Sequence, residues 1–226
     1  MKARSMLTEL LAEDAARTDV KRDLSLAHER AGDALLQAGD LDSASEAFAA
    51  CLMLRRELVA RDRSNSEWRR DLSVALERTG NVESARGRHD AATTAFSEAL
   101  SLREAALSDN TTDIVATRDL AILWMQLGKA RANAHTRLSE IDAAYDKAII
   151  LLSPLVEKAP PESRWRRDLA IAYAERAEAR RRAGKIYDAR SDMRAALDLI
   201  TKLRAAAPDD VQLQQDEAWL RSRLRR

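Results

Sequence analysis

The sequence predicts an all-α fold built as an array of helical hairpins, and three observations predict it. One tripeptide returns at a fixed interval: Arg22-Asp23-Leu24, Arg70-Asp71-Leu72, Arg118-Asp119-Leu120 and Arg167-Asp168-Leu169 stand 48, 48 and 49 residues apart, and a degenerate copy, Gln215-Asp216-Glu217, follows 48 later. A fixed period of this size marks stacked supersecondary units. Composition agrees, because 46% hydrophobic and 33% charged residues with 6 Gly and 4 Pro in 226 is the profile of long helices. The apolar residues, finally, recur at helical spacing, as in Ala44, Phe48, Cys51, Leu52 and Leu58, with only the stem of Arg55 between them.

The period divides the chain. Residues 1–17 read as a partial repeat, followed by repeats at about 18–65, 66–111, 112–160 and 161–208 and a capping helix at 209–226. Leu10 falls on Leu58 and Asp14 on Asp62 when aligned by the period, so residues 5–14 read as the tail of a helix. The expectation is that the polypeptide is the C-terminal part of a longer protein. In the first repeat, Thr18 is expected to cap helix A, which runs to about Ala38; Gly39-Asp40 breaks it, and helix B runs from about Asp42 to Arg61. The second repeat is expected to be capped by Ser66 and carries Gly80 and Gly87 where the first has Gly32 and Gly39; Ala92, Phe96, Ala99 and Leu100 reproduce the helix B stripe. The third starts near Thr112, carries Gly128, inserts one residue between Asn133 and Arg137, and presents Ile141, Tyr145, Ala148 and Ile149; Pro154 is expected to kink its second helix. The fourth opens at Pro161-Glu162-Ser163, turns at Gly184-Lys185 and closes with Ala189, Met193, Ala196 and Leu197.

Several function classes find no support. Lys+Arg 38 against Asp+Glu 37 leaves a formal charge of +1, so no global field points to nucleic acid or membrane. The tail arginines Arg221, Arg223, Arg225 and Arg226 suit the negative end of a helix dipole, and without interleaved aromatics they do not read as a nucleic-acid patch. No stretch reaches the roughly 18 apolar residues of a membrane span, and the N-terminus has no signal-peptide pattern. A single cysteine, Cys51, fits a reducing compartment, and the expected location is cytoplasmic. His28, His89 and His135 lie in different units, the last in place of a turn glycine, so neither metal spacing nor a catalytic constellation is visible; no cofactor and no enzymatic activity are expected. The repeated Arg-Asp is expected to join successive hairpins, since stacking needs the same chemistry at each step.

The run Gly32…Gly39-Asp40…Ala44-x3-Phe48…Cys51 resembles the tetratricopeptide repeat, with its small residue at a helix crossing, its Gly-Asp turn and its Ala-x3-aromatic. Gly80, Gly87, Ala92, Phe96 and Ala99 repeat it, while His28, Leu76, Trp124 and Tyr173 fill the first large position. The resemblance implies a right-handed α-solenoid of about four elongated tetratricopeptide-like hairpins with terminal capping helices. A standard unit has 34 residues, so about two turns are added to each helix, at the end away from the A/B turn. Leu35, Glu83, Arg131 and Arg180 stand where a tyrosine is usual, which implies looser or wetter packing. Long repeats with a Trp-x-x-Asp-Leu lead-in look like those of multidomain bacterial signalling proteins.

By this resemblance one residue of each helix A points into a concave groove: Leu26, Val74, Ile122 and Ile171. Beside them come Glu29, Glu77, Met125 and Ala174, then Asp33, Asn81, Lys129 and Glu178, with Arg181 and Arg182 deeper. An aliphatic row with charged flanks is expected to bind a protein or peptide, and the implied function is a protein-interaction or regulatory module. A peptide or small-ligand sensor, or dimerisation through the aliphatic row, are the alternatives. A clamp for C-terminal carboxylates would need Lys and Asn where Glu29 and Asp33 stand. Gly32, Gly80 and Gly128, with Ala177 in the fourth repeat, are expected at helix crossings, where Gly80→Leu overpacks and Gly80→Ala is near neutral.

Overall fold

The computed structural model describes residues 2–14, 16–108, 113–158, 160 and 164–225. Among them are ten helices and no strand: α1 (Lys2–Glu13), α2 (Thr18–Gln37), α3 (Leu41–Arg61), α4 (Ser66–Ala85), α5 (His89–Ser108), α6 (Ile114–Asn133), α7 (Leu138–Lys158), α8 (Arg164–Arg182), α9 (Ile186–Ala206) and α10 (Val211–Leu224). They form two compact units, residues 1–109 and 110–226. In the first unit α2 pairs with α3 and α4 with α5, α1 packs on α2, and α3 joins the hairpins by packing on α4. In the second, α6 pairs with α7 and α8 with α9, α7 packs on α8, and α10 packs on α9.

The helix starts follow from side-chain oxygens that take up orphan backbone donors. Asp40 accepts from Ser43 N at 3.1 Å, Asn65 from Trp68 N at 3.0 Å, Asp113 from Ala116 N at 2.9 Å, and Asp210 from Leu213 N at 3.1 Å. The caps expected at Thr18 and Ser66 are therefore displaced by one residue. Thr18 and Ser66 are already helical, and in the second repeat the amide oxygen of Asn65 reaches the free N–H. Helix α7 runs through Pro154 to Lys158. Thr112 and Pro161-Glu162-Ser163 lie outside the described residues. The turns between paired helices need a residue in the left-handed region, supplied by Gly39, Gly87 and Gly184 at φ +80, +75 and +77 and, in the third hairpin, by His135 at φ 56.

Inside the first three hairpins the crossing is a glycine under an aromatic ring. A Cβ on Gly32 would lie 2.7 Å from the Phe48 ring, one on Gly80 2.4 Å from Phe96, and one on Gly128 2.9 Å from Tyr145. Phe48, Phe96 and Tyr145 are all at most 1% exposed, so the rings cannot move aside into solvent. This corrects the expectation that Gly80→Ala is near neutral. The fourth repeat accommodates Ala177 because its aromatic is replaced there by the flexible Met193, also buried.

Within each unit the joints follow the tripeptide period, with the arginine of one repeat meeting the aspartate of the next. Arg22 Nε meets Asp71 at 2.9 Å, Arg118 meets Asp168 at 2.7 Å, and Arg167 meets Asp216 of α10 at 2.7 Å. Each is partly exposed and contributes no more than about 1 kcal/mol on its own; its value is in setting register. The elongated ends of α2 and α3 are tied by Lys21–Glu57 at 2.5 Å, and in the second unit Trp165 packs on the core that holds Leu152 and Val156. The position without its usual tyrosine is not loosely packed, contrary to expectation. Leu35 packs beside Phe48, buried Glu83 accepts from Ser45 Oγ of the preceding hairpin at 2.6 Å, and Arg180 bridges Asp142 at 3.0 Å and buried Asp192 at 2.9 Å. Polar groups there are paired, which removes most of the desolvation cost.

Candidate functional site

The sequence-derived groove residues divide into those the fold consumes and those it leaves open. In the first unit Glu29 pairs with Arg55, which is itself 4% exposed and donates to Ser25 Oγ and the Asp71 carbonyl. One period later Glu77 pairs with Arg103 in the same way, and Asp33 meets Arg78 at 3.4 Å. The carboxylates of this half are thus largely neutralised from within. Asn81 and Val74 are half-buried, and Leu26 is 39% exposed.

Following that Glu–Arg position through the second unit shows how an open site arises. In the third repeat its two members are Met125 and Leu152, both buried in the core, so Met125 belongs to the interior and not to a binding surface. In the fourth repeat they are Ala174 and Ile200. The small Ala174 leaves the space that Glu29, Glu77 or Met125 fills elsewhere, and a cavity of about 350 Å³ opens there.

Helices α6, α7, α8, α9 and α10 all contribute to its wall. The floor is apolar, with Ile171, Ala174, Ile200, Trp219 and Leu220; Lys129, Asn133, Tyr145, Glu175, Glu178, Arg182 and Asp216 bring polar groups to it. Of the predicted site residues, Lys129, Ile171 and Arg182 therefore converge, whereas Ile122 is half-buried outside this wall and Arg181 pairs with Glu178 at 2.8 Å. Lys129 Nζ meets Glu175 at 3.3 Å, and the Tyr145 hydroxyl donates to the same carboxylate at 3.3 Å. Burial and the adjacent Glu175 push the Tyr145 phenol well above its ordinary range, so it stays a neutral donor. Trp219, 40% exposed, is held by Arg223, whose guanidinium lies 5.2 Å from the ring centroid. Trp219 and Leu220 escaped the sequence-based site, and Ala174, placed along the groove by the resemblance, was not recognised as its opening. The signal for Ala174 was present as a break in the Glu–Arg periodicity, but α10 reads as a cap until its packing on α9 brings Trp219 to the wall.

Cys51 is fully buried, and burial pushes its thiol up to about 12, which suits a packing role. Among the described residues no group of three His, Cys, Asp or Glu side chains is placed to hold a metal ion. No described helix is long and apolar enough to cross a membrane.

No protein-family model matches the sequence, nor does any curated protein. Solved structures do resemble it. BtubC (BKLC) from P. vanneervenii aligns over 99% of this chain and 86% of its own at a TM-score of 0.57 and 14% identity, a likeness of fold. TTC0263, a thermophilic TPR protein in Thermus thermophilus, aligns over 96% of this chain and 88% of its own with 19% identity and a TM-score of 0.39. YrrB, a TPR protein with an unusual peptide-binding site, aligns over 94% and 97% with 15% identity and a TM-score of 0.33. With its glycine-under-aromatic crossings, left-handed turn residues and hairpins recurring at 48 to 49 residues, the chain has a helical-repeat fold of elongated, tetratricopeptide-like hairpins.

Proposed function

We propose that this chain is a protein-interaction module whose second unit takes a segment of a partner protein into the cavity walled by α6, α8 and α10. The observation that carries this reading is the truncation at Ala174, which opens about 350 Å³ over an apolar floor while the rim keeps both signs of charge. A volume near the lower end of ligand pockets fits one anchoring apolar side chain with its backbone running across the rim. Lys129, Glu175 and Glu178 are already ion-paired, an arrangement that suits orienting a peptide rather than moving protons. The resemblance of the Trp-x-x-Asp-Leu lead-in to bacterial signalling proteins supports a regulatory use in a larger signalling protein of the cytoplasm.

The test is to pan a displayed random-peptide library on the intact protein and to compare wild type with Ala174→Met. Methionine is the residue the third repeat carries at this position, so it fills the cavity with a side chain the fold already accommodates. The expected result is an unchanged melting temperature with loss of the selected peptides. Retention of those peptides by Ala174→Met would remove the cavity from consideration.

Self-association is a second reading, favoured by the incomplete burial of the aliphatic row: Leu26 is 39% exposed, and Val74, Ile122 and Ile171 are half-buried. Exposed apolar rows of this kind are characteristic of interfaces.

A further inference from the structure

The aliphatic row has a fifth member. Leu26, Val74, Ile122 and Ile171 stand 48 to 49 residues apart, and the next position of the series is Trp219. Leu26 is 39% exposed although a further hairpin, α4 with α5, follows it in the same unit, so this position opens to the groove by its place on the helix and not for want of a following element. Trp219 is 40% exposed in the same way and lines the cavity at Ala174 beside Ile171. Arg223 lies over one face of its ring, 5.2 Å from the centroid, and fixes the indole in place.

Size and charge define what the space accepts. A dry cavity of about 150 Å³ takes up a benzene ring, so one of about 350 Å³ has room for an indole together with the chain that carries it. In the third repeat Met125 and Leu152 occupy the positions of Ala174 and Ile200, so the missing contact is apolar. The carboxylates of the wall are already balanced: Glu175 by Lys129, Glu178 by Arg181 and Arg223, and Asp216 by Arg167. Arg182 ends α8, where a cation offsets the helix dipole. An uncharged occupant leaves all of these pairs intact. Asn133, which lines the same wall and has no hydrogen-bond partner among the described residues, offers an amide donor and acceptor to a peptide backbone.

We infer, on the strength of the cavity reading above, that the partner segment anchors with an aromatic side chain, tryptophan or phenylalanine, which fills the space over Ala174 and packs against the indole of Trp219. Two aromatic rings in offset or edge-to-face contact gain more than the burial of their area alone. Trp219, already pinned by Arg223, loses little freedom in making that contact. Ile171 and Ala174 accept any apolar side chain, whereas the indole favours an aromatic one, so Trp219 sets the specificity of the site. The backbone beside the anchor pairs with the Asn133 amide, which a free aromatic molecule without amides cannot do.

The test uses the intact protein with methyl-labelled isoleucine and titrates it with N-acetyl-tryptophanamide, N-acetyl-leucinamide and indole. The expected result is a saturable ring-current shift of the Ile171 and Ile200 methyl resonances with the tryptophan amide. That amide should bind about fivefold more tightly than the leucine amide, the factor one aromatic pair supplies. Trp219→Leu should remove the preference and Trp219→Phe should keep it, with thermal melts showing that both variants fold. Any of four results overturns the inference: no shift at Ile171 or Ile200; equal or tighter binding of the leucine amide; an aromatic preference that survives in Trp219→Leu; or indole bound more tightly than the tryptophan amide, which would assign a free aromatic ligand. Library peptides that are lost on Ala174→Met yet carry no enriched aromatic residue also overturn it while the cavity reading stands. Peptides retained by Ala174→Met remove that reading and this one with it.

Discussion

Adding one methyl group at Gly80 tests the crossing geometry on which the hairpins rest. A Cβ there would lie 2.4, 2.6 and 2.8 Å from three atoms of the Phe96 ring, and the ring is 1% exposed. Ordinary contact requires about 3.5 Å, so either the ring or the helix moves by about 1 Å in a close-packed interior. Overpacking of that degree costs roughly 3 kcal/mol, while alanine contributes about 1 kcal/mol through helix propensity, leaving a net loss of about 2 kcal/mol. For a chain of this length the melting temperature should fall by about 4 to 8 °C, followed by circular dichroism at 222 nm. Gly80→Leu should fall further. The double variant Gly80→Ala with Phe96→Met, which installs the Ala177–Met193 pair of the fourth repeat, should lose less than the two single changes summed. An unchanged or raised melting temperature for Gly80→Ala would show that the ring does not sit over this glycine and would refute the crossing.

Ile122→Glu separates the uses of the aliphatic row: a stable monomer from a dimeric wild type means self-association, a stable variant with unchanged oligomeric state leaves external binding, and unfolding places the row in the core. His135→Gly should stabilise by roughly 0.5 to 1 kcal/mol in urea titration, because a left-handed φ strains histidine and not glycine. Buried Glu217 accepts from Arg204 and Arg221, and these hydrogen bonds hold its carboxyl below the ordinary value of 4.5. Its depressed value means a contribution that is full above pH 4.5 and is lost as pH falls through the folded value, so Glu217→Gln should flatten the acid side of the stability profile; an identical profile would count against it. Cys51, with its thiol pushed up to about 12, should resist a thiol-disulfide reagent at pH 8 in the native protein and react on unfolding.

What the sequence by itself determined is what repeats. Local chemistry recurs at 48 to 49 residues, so the hairpins, their Gly turns, the helix limits to within a few residues and the Arg-Asp joints could all be read from spacing. Even a singular residue was legible where it broke a local rule, as with His135 in the place of a turn glycine. Tertiary structure decided whatever depends on distance between side chains from different helices. The consumption of Glu29 by Arg55, the contact that makes alanine unwelcome at Gly80, the buried pairing around Glu83 and Arg180, and the opening at Ala174 each arise where two or more elements meet. Periodicity names the face a residue occupies, but only packing determines whether its neighbour fills, pairs with or leaves open the space in front of it, because van der Waals contact turns from attraction to repulsion within about an ångström and an ion pair needs its partner within a few.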